Sequence, residues 1–254
     1  MVRFLSFVLS LGAPLGPYVR VTDVSVEVPV GTRFSRTCLN MRILELFSGS
    51  GSLGQAFAQH GWEVTSLDSD VKTDAQIKED ILTWDYSVYP PGFFDVVWAS
   101  PCCTQYSCAR TSAATPRNLA LADSLVERSL EIIEYFQPRV WFIENPATGL
   151  LKTRPFMVCL PCVDVDYCCF SDWGYRKRTR LWTNSGLVGK LCLGKGLCSN
   201  MVGNRHRTTA QQGRNKCSDG LYGDHHSTRQ LYKLPPNLCS EIELLSRALV
   251  TPGV

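Results

Sequence analysis

Residues 42–57, RILELFSGSGSLGQAF, run from a short apolar stretch through a turn with three glycines into a helical pattern. An apolar run of that length, bounded by turn residues, reads as a buried strand. A glycine-rich turn between a strand and a helix brings backbone N–H groups to one point and can cradle a phosphate or a nucleoside-bearing cofactor. No lysine follows these glycines, which argues against ATP or GTP.

Working outward, WEVTSLD (62–68) is a second strand closing on Asp68, where a carboxylate can bind a ribose. DVVWAS (95–100) is a third strand, preceded by the turn YPPGF. LALADSLVERSLEIIEYF (119–136) sets Leu121, Leu125, Ile132 and Phe136 at helical spacing, and RVWFIENP (139–146) and DVDYCCF (164–170) are further strands. Strands alternating with helices predict an α/β fold with a parallel sheet covered on both faces. Ligands of such sheets bind at the carboxyl ends of the strands, where the polar clusters fall here. After Asn184 the periodicity dissolves into a Gly-, Asn- and cation-rich segment. YKLPPNLCSEIELLSRAL (232–249) then resumes a helix, with prolines near its first turn.

The 254 residues suit one large α/β domain, and 44% hydrophobic with 19% charged residues is an ordinary globular composition. The N-terminal run MVRFLSFVLSLGAPLG faintly imitates a signal peptide, but no apolar stretch of about 18 residues follows to anchor the chain in a membrane. Residues 1–40 read as an extension, because the first strong strand-and-turn signal starts at Met41. Twelve cysteines spread over so long a chain, with adjacent pairs at 102–103 and 168–169, suggest reduced thiols in an intracellular protein rather than a secreted disulfide framework. Charge is uneven. From Trp173 to Ser218 there are ten of the 26 basic residues and none of the 23 acids, a one-signed stretch that suggests a polyanion partner.

Several side chains could carry chemistry. ASPCCTQYS (99–107) sets two thiols behind a proline at a strand end: metal ligands, a redox pair, or a nucleophile with a bystander. Glu144 closes another strand. Cys159-x2-Cys162 has ligand-like spacing but no matching second pair. Cys192, Cys198, His206 and Cys217 could hold zinc in the irregular segment, although scattered thiols are the reading preferred there, with no metal expected.

In order, LELFSGSG, LDSD, KEDI, ASPCCTQYS, FIENP and YRKRTRLWTN resemble the cytosine-C5 methyltransferase family, in particular its short phage and viral members, from about Arg42 to Asn184 and again near the C-terminus. The resemblance implies a Rossmann-like S-adenosylmethionine-dependent methyltransferase fold with a mostly parallel sheet and a small irregular target-recognition region. The catalytic domain would span 41–184 and the basic recognition region 185–230, with a helix in 231–254 returning to the catalytic domain. Phe47 would pack on the cofactor within the turn Phe47, Ser48, Gly49, Ser50, Gly51, whose glycines let the backbone approach it. Asp68 would bind the ribose, Asp80 would read the adenine amino group, and Pro101 would border the same site.

The family's catalytic segment reads Pro-Cys-Gln, then an aromatic and a serine. The flanks Ala99-Ser100 and Tyr106-Ser107 place the nucleophile at Cys103, with Cys102 in place of a proline and Thr104 in place of the glutamine; the Pro-Cys dipeptide alone would choose Cys102. Glu144, with Asn145 beside it, would serve N3 and the exocyclic amine of cytosine. Arg178 or Arg180 would hold the base oxygen and favour the thiolate, Arg176 standing where the family has glutamine. The family's late Gly-Asn pair is replaced by Leu231-Tyr232. These matches imply a monomeric enzyme that flips a cytosine out of double-stranded DNA and methylates C5 through a covalent Cys–C6 intermediate. Three alternatives stay open on sequence: a C5 methyltransferase of RNA, an amino-group methyltransferase and a non-catalytic DNA-binding relative.

Overall fold

A computed structural model describes residues 40–108, 110, 113–210 and 226–251. The expected N-terminal extension, apart from its last residue, lies outside the described residues, as do Cys217, Arg214 and Lys216.

Six strands form one sheet: β1 (Arg42–Leu46), β2 (Glu63–Leu67), β3 (Val96–Ala99), β4 (Val140–Pro146), β5 (Cys162–Asp166) and β6 (Arg178–Thr183). Their order is β2-β1-β3-β4-β6-β5. β1 pairs in parallel with β2 and β3, and β3 with β4, while β6 runs antiparallel to both its neighbours. The fold is therefore α/β with a mostly parallel sheet. The reversed strand β6 is the element the sequence reading treated only as a motif. The DVDYCCF strand is also shorter than expected, because the chain turns into a 3₁₀ helix at Tyr167–Cys169.

The apolar runs are nearly continuous because helices cover both faces. Ile43, Trp98, Phe142 and Leu181 point to one side, where α1 (Ser52–Gln59) and α5 (Pro236–Val250) add Phe57, Leu238 and Ile242. Leu44, Val97, Ile143 and Trp182 point to the other, against α2 (Leu119–Phe136). Asn118 caps α2, its side chain accepting from the Leu121 N–H at 3.1 Å. The buried face of α2 holds Ala122, Val126, Ser129, Ile132, Ile133 and Phe136, so that of the residues expected from the spacing Ile132 and Phe136 are buried, whereas Leu121 is half exposed.

A short α3 (Pro155–Val158) leads into β5, and α5 begins with Pro236 at its first turn, as expected. Between β6 and α5 the described chain has only the two-residue strands β7 (Met201–Val202) and β8 (Arg205–His206) and the single turn α4 (Thr228–Leu231). The chain leaves β1 for β2 on one side and then crosses to β3 on the other. This switch point opens a crevice at the carboxyl ends of β1 and β3.

Candidate active site

The turn after β1 fills that crevice. Ser48 N–H donates to Leu67 C=O at 3.0 Å and Gly51 N–H to Ser48 C=O at 2.7 Å. Phe47, Gly49 and Gly51 all have positive φ, at 56°, 50° and 66°. For phenylalanine that conformation costs about 1–3 kcal/mol, a strain that clusters where backbone must meet a ligand. Asp68 fixes the turn from the next strand: its carboxylate accepts the Gly49 and Asp70 N–H groups, each at 2.8 Å. Each oxygen retains a lone pair toward the crevice.

A cavity of about 390 Å³ opens there. Phe47, Ser48, Gly49, Ser50, Asp68, Pro101, Cys103 and Glu144, all singled out from sequence, share its lining. Gly51 lies immediately behind, as the N-cap of α1. Asp80 does not reach the cavity. Its carboxylate accepts the Leu82 N–H at 3.0 Å and its carbonyl the N–H groups of Thr83 and Trp84, so it closes a turn elsewhere. Asp70 and Thr73 line the wall instead.

At the other end of the cavity the chain leaves β3 through Pro101-Cys102-Cys103. Asn145, fully buried on β4, donates from Nδ2 to the Pro101 carbonyl at 2.9 Å and so holds this loop from beneath. Asn145 therefore positions the loop and does not line the cavity. Tyr106, also fully buried, anchors the far side by donating to Asp123 at 2.8 Å. The two sulfurs differ. Cys102 is exposed and its thiol donates to Thr104 Oγ1 at 3.2 Å. Cys103 is partly buried, and burial pushes its thiol above the ordinary range; Glu144 pushes it further and Lys177 pulls it back.

Glu144 is 8% exposed. The Tyr167 hydroxyl donates to its Oε1 at 3.4 Å, and Lys177 Nζ lies 4.0 Å from the same oxygen while donating to the Leu231 carbonyl at 3.1 Å. The cation in the cavity is thus Lys177. Arg178 and Arg180, expected to hold the base, form bidentate pairs with Asp166 (3.0 and 2.7 Å) and Asp164 (2.7 and 3.0 Å). The register sets this outcome: Asp166 lies directly across from Arg178, and Asp164 from Arg180, on one face. The alternate residues Lys177 and Thr179 face the other way, toward Tyr167 and Glu144.

Three further residues of the cavity were not found by motif reading. Lys177 was hidden inside the basic run. Tyr232, standing where the family has its Gly-Asn pair, brings a phenol whose ionisation is opposed by burial and by both thiols. Glu45, 3% exposed on β1, has its carboxyl raised to about 7 by desolvation, opposed by the N–H groups of Gly54 and Leu53. Gly54 packs closely over it: a Cβ there would lie 2.4 Å from Glu45 Oε2 and would have to displace the carboxylate.

The basic window is also less free than its sequence suggests. Besides Arg178 and Arg180, Lys190 is paired with Glu241, and Arg207 donates to the Asp172 carbonyl and to Asn200 Oδ1 at 3.0 and 3.1 Å. Arg176, Lys195 and Arg205 form no ion pair with another described residue.

A glycine turn with a fixed carboxylate, joined to a thiol and a buried glutamate in one cavity of a parallel sheet, defines the class: a methyltransferase with a cysteine in its site. The "Probable DNA (cytosine-5)-methyltransferase" of Frog virus 3 (isolate Goorha) is 40% identical over 217 residues, which is 80% of this chain and 98% of the viral protein. The chain belongs to the DNA (cytosine-5)-methyltransferase family. No protein-family model matches it. Among solved structures, an E. coli prophage protein described as a DNA modification methyltransferase superposes with a TM-score of 0.42 at 13% identity, covering 56% of this chain and 46% of that one. A SAM-dependent methyltransferase of Archaeoglobus fulgidus gives 0.30 at 16% identity, covering 42% and 45%. Both superpositions are partial.

Proposed function

We propose that the chain is a monomeric, S-adenosylmethionine-dependent enzyme that methylates C5 of a cytosine flipped out of duplex DNA, with Cys103 as nucleophile. The observation that carries this reading is the sharing of one cavity by Cys103, Glu144, Asp68 and the Phe47–Ser50 turn. The cofactor end fits the donor: the turn is held in positive-φ geometry, and Asp68 keeps lone pairs for ribose hydroxyls. S-adenosylmethionine, when bound, supplies an electrophilic methyl group.

The chain's own residues do the rest. C5 of cytosine is a weak nucleophile until a group adds at C6. Cys103, as thiolate, adds there, and the electron pair moves toward N3. Glu144 holds N3 with a shared proton and accepts from the exocyclic amine, so that C5 becomes enamine-like. Lys177, 4.0 Å from Glu144 in the same cavity, favours the Cys103 thiolate and offers a cation to the base oxygen. Once C5 is methylated, a water or hydroxide in the cavity takes its proton, that C–H electron pair re-forms the C5–C6 double bond, and the Cys103 sulfur leaves as thiolate. Both groups sit inside a cavity, which only a base out of its stack can enter. Arg176, Lys195 and Arg205 then offer cations to the phosphates. Such chemistry belongs inside the cell, with the DNA; no helix among the described residues is long and apolar enough to cross a membrane.

The test is transfer of labelled methyl to duplex DNA and to RNA in parallel, with the product base identified. C5-methylcytosine in DNA is expected. Duplexes with 5-fluorocytosine should trap an adduct, which peptide mass analysis should map to Cys103. An adduct at Cys102 would reverse the choice of sulfur, methylation of RNA alone would change the substrate, and an absence of transfer would leave a DNA-binding relative.

A further inference from the structure

We propose that Cys168, Cys192, Cys198 and His206 bind one zinc ion, which pins the irregular basic segment after β6 to the sheet. The ligand atoms of these four residues all lie within 4.8 Å of one another. His206 Nε2 is 3.6 Å from both Cys192 Sγ and Cys198 Sγ. A tetrahedral centre with bonds of about 2.3 Å to sulfur and about 2.05 Å to nitrogen, opening at about 109°, puts those atoms about 3.6 Å apart. The three sulfurs are free thiols, so no disulfide competes for them in this arrangement.

The four ligands come from separate places, and each is held by the fold. Cys168 is buried in the 3₁₀ turn after β5, and its carbonyl accepts from Asn200 Nδ2 at 3.0 Å. The Cys192 N–H donates to Asp166 Oδ2 at 2.9 Å. Cys198 closes the turn that begins at Gly194, its N–H meeting the Gly194 carbonyl at 3.1 Å. His206 sits on β8, paired across to Met201. Sequence spacing suggests Cys217, which lies outside the described residues, as a fourth ligand; among the described residues the fold brings in Cys168, from more than twenty residues upstream, which spacing does not reveal.

A second observation points the same way. From residue 186 to residue 210 only Asn200 is buried, while Val188, Leu193 and Leu197 are 76%, 78% and 73% exposed. A segment with two-residue strands and no apolar core needs another source of order, and a metal bound only by the folded arrangement supplies it. Three sulfurs and an imidazole select a thiophilic cation over magnesium or calcium. With four protein ligands no position stays open for water, so the ion is structural and the methylation site does not use it.

The test uses the full chain purified in reductant without chelator. Elemental analysis should give about one zinc per chain. Cobalt(II) titrated into chelator-stripped protein should show the intense visible bands and thiolate charge-transfer absorption of a tetrahedral site. Cys168→Ser and His206→Ala should each lose the zinc, while Cys169→Ser and Cys102→Ser, which lie outside the set, should keep it. Chelation should also speed proteolysis between residues 186 and 210. Because the cobalt spectrum is read on the unmutated chain, misfolding of a variant cannot hide a failure. Zinc near zero together with a featureless cobalt titration would overturn the proposal. So would full zinc retention in Cys168→Ser, or a disulfide among Cys168, Cys192 and Cys198 in protein kept reduced.

Discussion

Glu45 makes the stability of the protein depend on pH in a way that one substitution should remove. Its carboxyl is buried beneath α1 and is raised from 4.5 to about 7, chiefly by desolvation. The sign follows from comparing the two states. The unfolded chain releases the proton near 4.5, whereas the folded chain resists release until about 7, so ionisation favours unfolding and stability falls across that interval. The full difference, at about 1.4 kcal/mol per pH unit, is about 3 kcal/mol. It is absent well below 4.5 and constant above 7. Glu45→Gln keeps the shape and an acceptor for the Gly54 and Leu53 N–H groups but has no proton to lose. Urea unfolding of both proteins from about pH 5.5 to about pH 8.5 should therefore show the variant gaining about 2 kcal/mol on the wild type as pH rises. Other titrating groups cancel in the comparison. A difference that stays flat with pH would refute the reasoning, because it would mean that Glu45 ionises in the folded state as easily as in water.

Other outcomes follow from the same geometry. Cys103 should react with a small alkylating agent only at higher pH than an ordinary thiol; Glu144→Gln should move that profile down and Lys177→Met should move it up, as read by peptide mass analysis. Gly54→Ala should destabilise the chain by about 1–3 kcal/mol in denaturant unfolding, since the new methyl group meets both Glu45 and Val64. Asp166→Asn breaks the pair with Arg178, which is about one-third exposed, and weakens the anchor of Cys192. A loss of about 2 kcal/mol is expected, well below the cost of breaking a wholly buried pair. Arg205→Ala should lower the salt slope of DNA binding by about one unit if Arg205 meets a phosphate; relaxed preference at one base position would instead make it a reader.

The parallel part of the sheet was legible because its strands are buried on both faces and so appear as unbroken apolar runs, with turn chemistry between them. The glycine turn, Asp68, Cys103 and Glu144 were legible because each closes such a run, and the switch point gathers strand ends. What sequence did not reveal depends on register and direction. β6 looks like a charged motif, since Arg178 and Arg180 alternate with Thr179 and Leu181; only pairing with β5 turns both guanidiniums onto aspartates. Asp80 sits in a matching motif, yet its side chain is taken by a local backbone N–H. On α2 the helical spacing picks out the fully buried Ile132 and Phe136 but not Ala122 and Ser129, whose small side chains carry no apolar signal of their own.

The reversed strand also explains how two tasks can lie one residue apart. Lys177 reaches Glu144 on the cavity side, and Arg178 holds Asp166 on the opposite side. Asp166 in turn accepts the Cys192 N–H, at the start of the thiol and imidazole cluster. A strand sends consecutive side chains to opposite faces, so a single peptide links the cavity to the anchor of the basic segment. The arginines that the family resemblance assigned to the base have in this chain become structural partners. Their aspartates occupy both N–H edges facing them, and a bidentate pair of that kind fixes orientation as well as charge. Releasing Arg178 toward a substrate would leave Asp166 buried without its counter-ion and loosen Cys192 at the same time. Lys177, on a flexible stem, has one carbonyl partner, the Tyr167 ring at 4.8 Å and a carboxylate 4.0 Å away, and it is the cation that the proposed mechanism assigns to the incoming base.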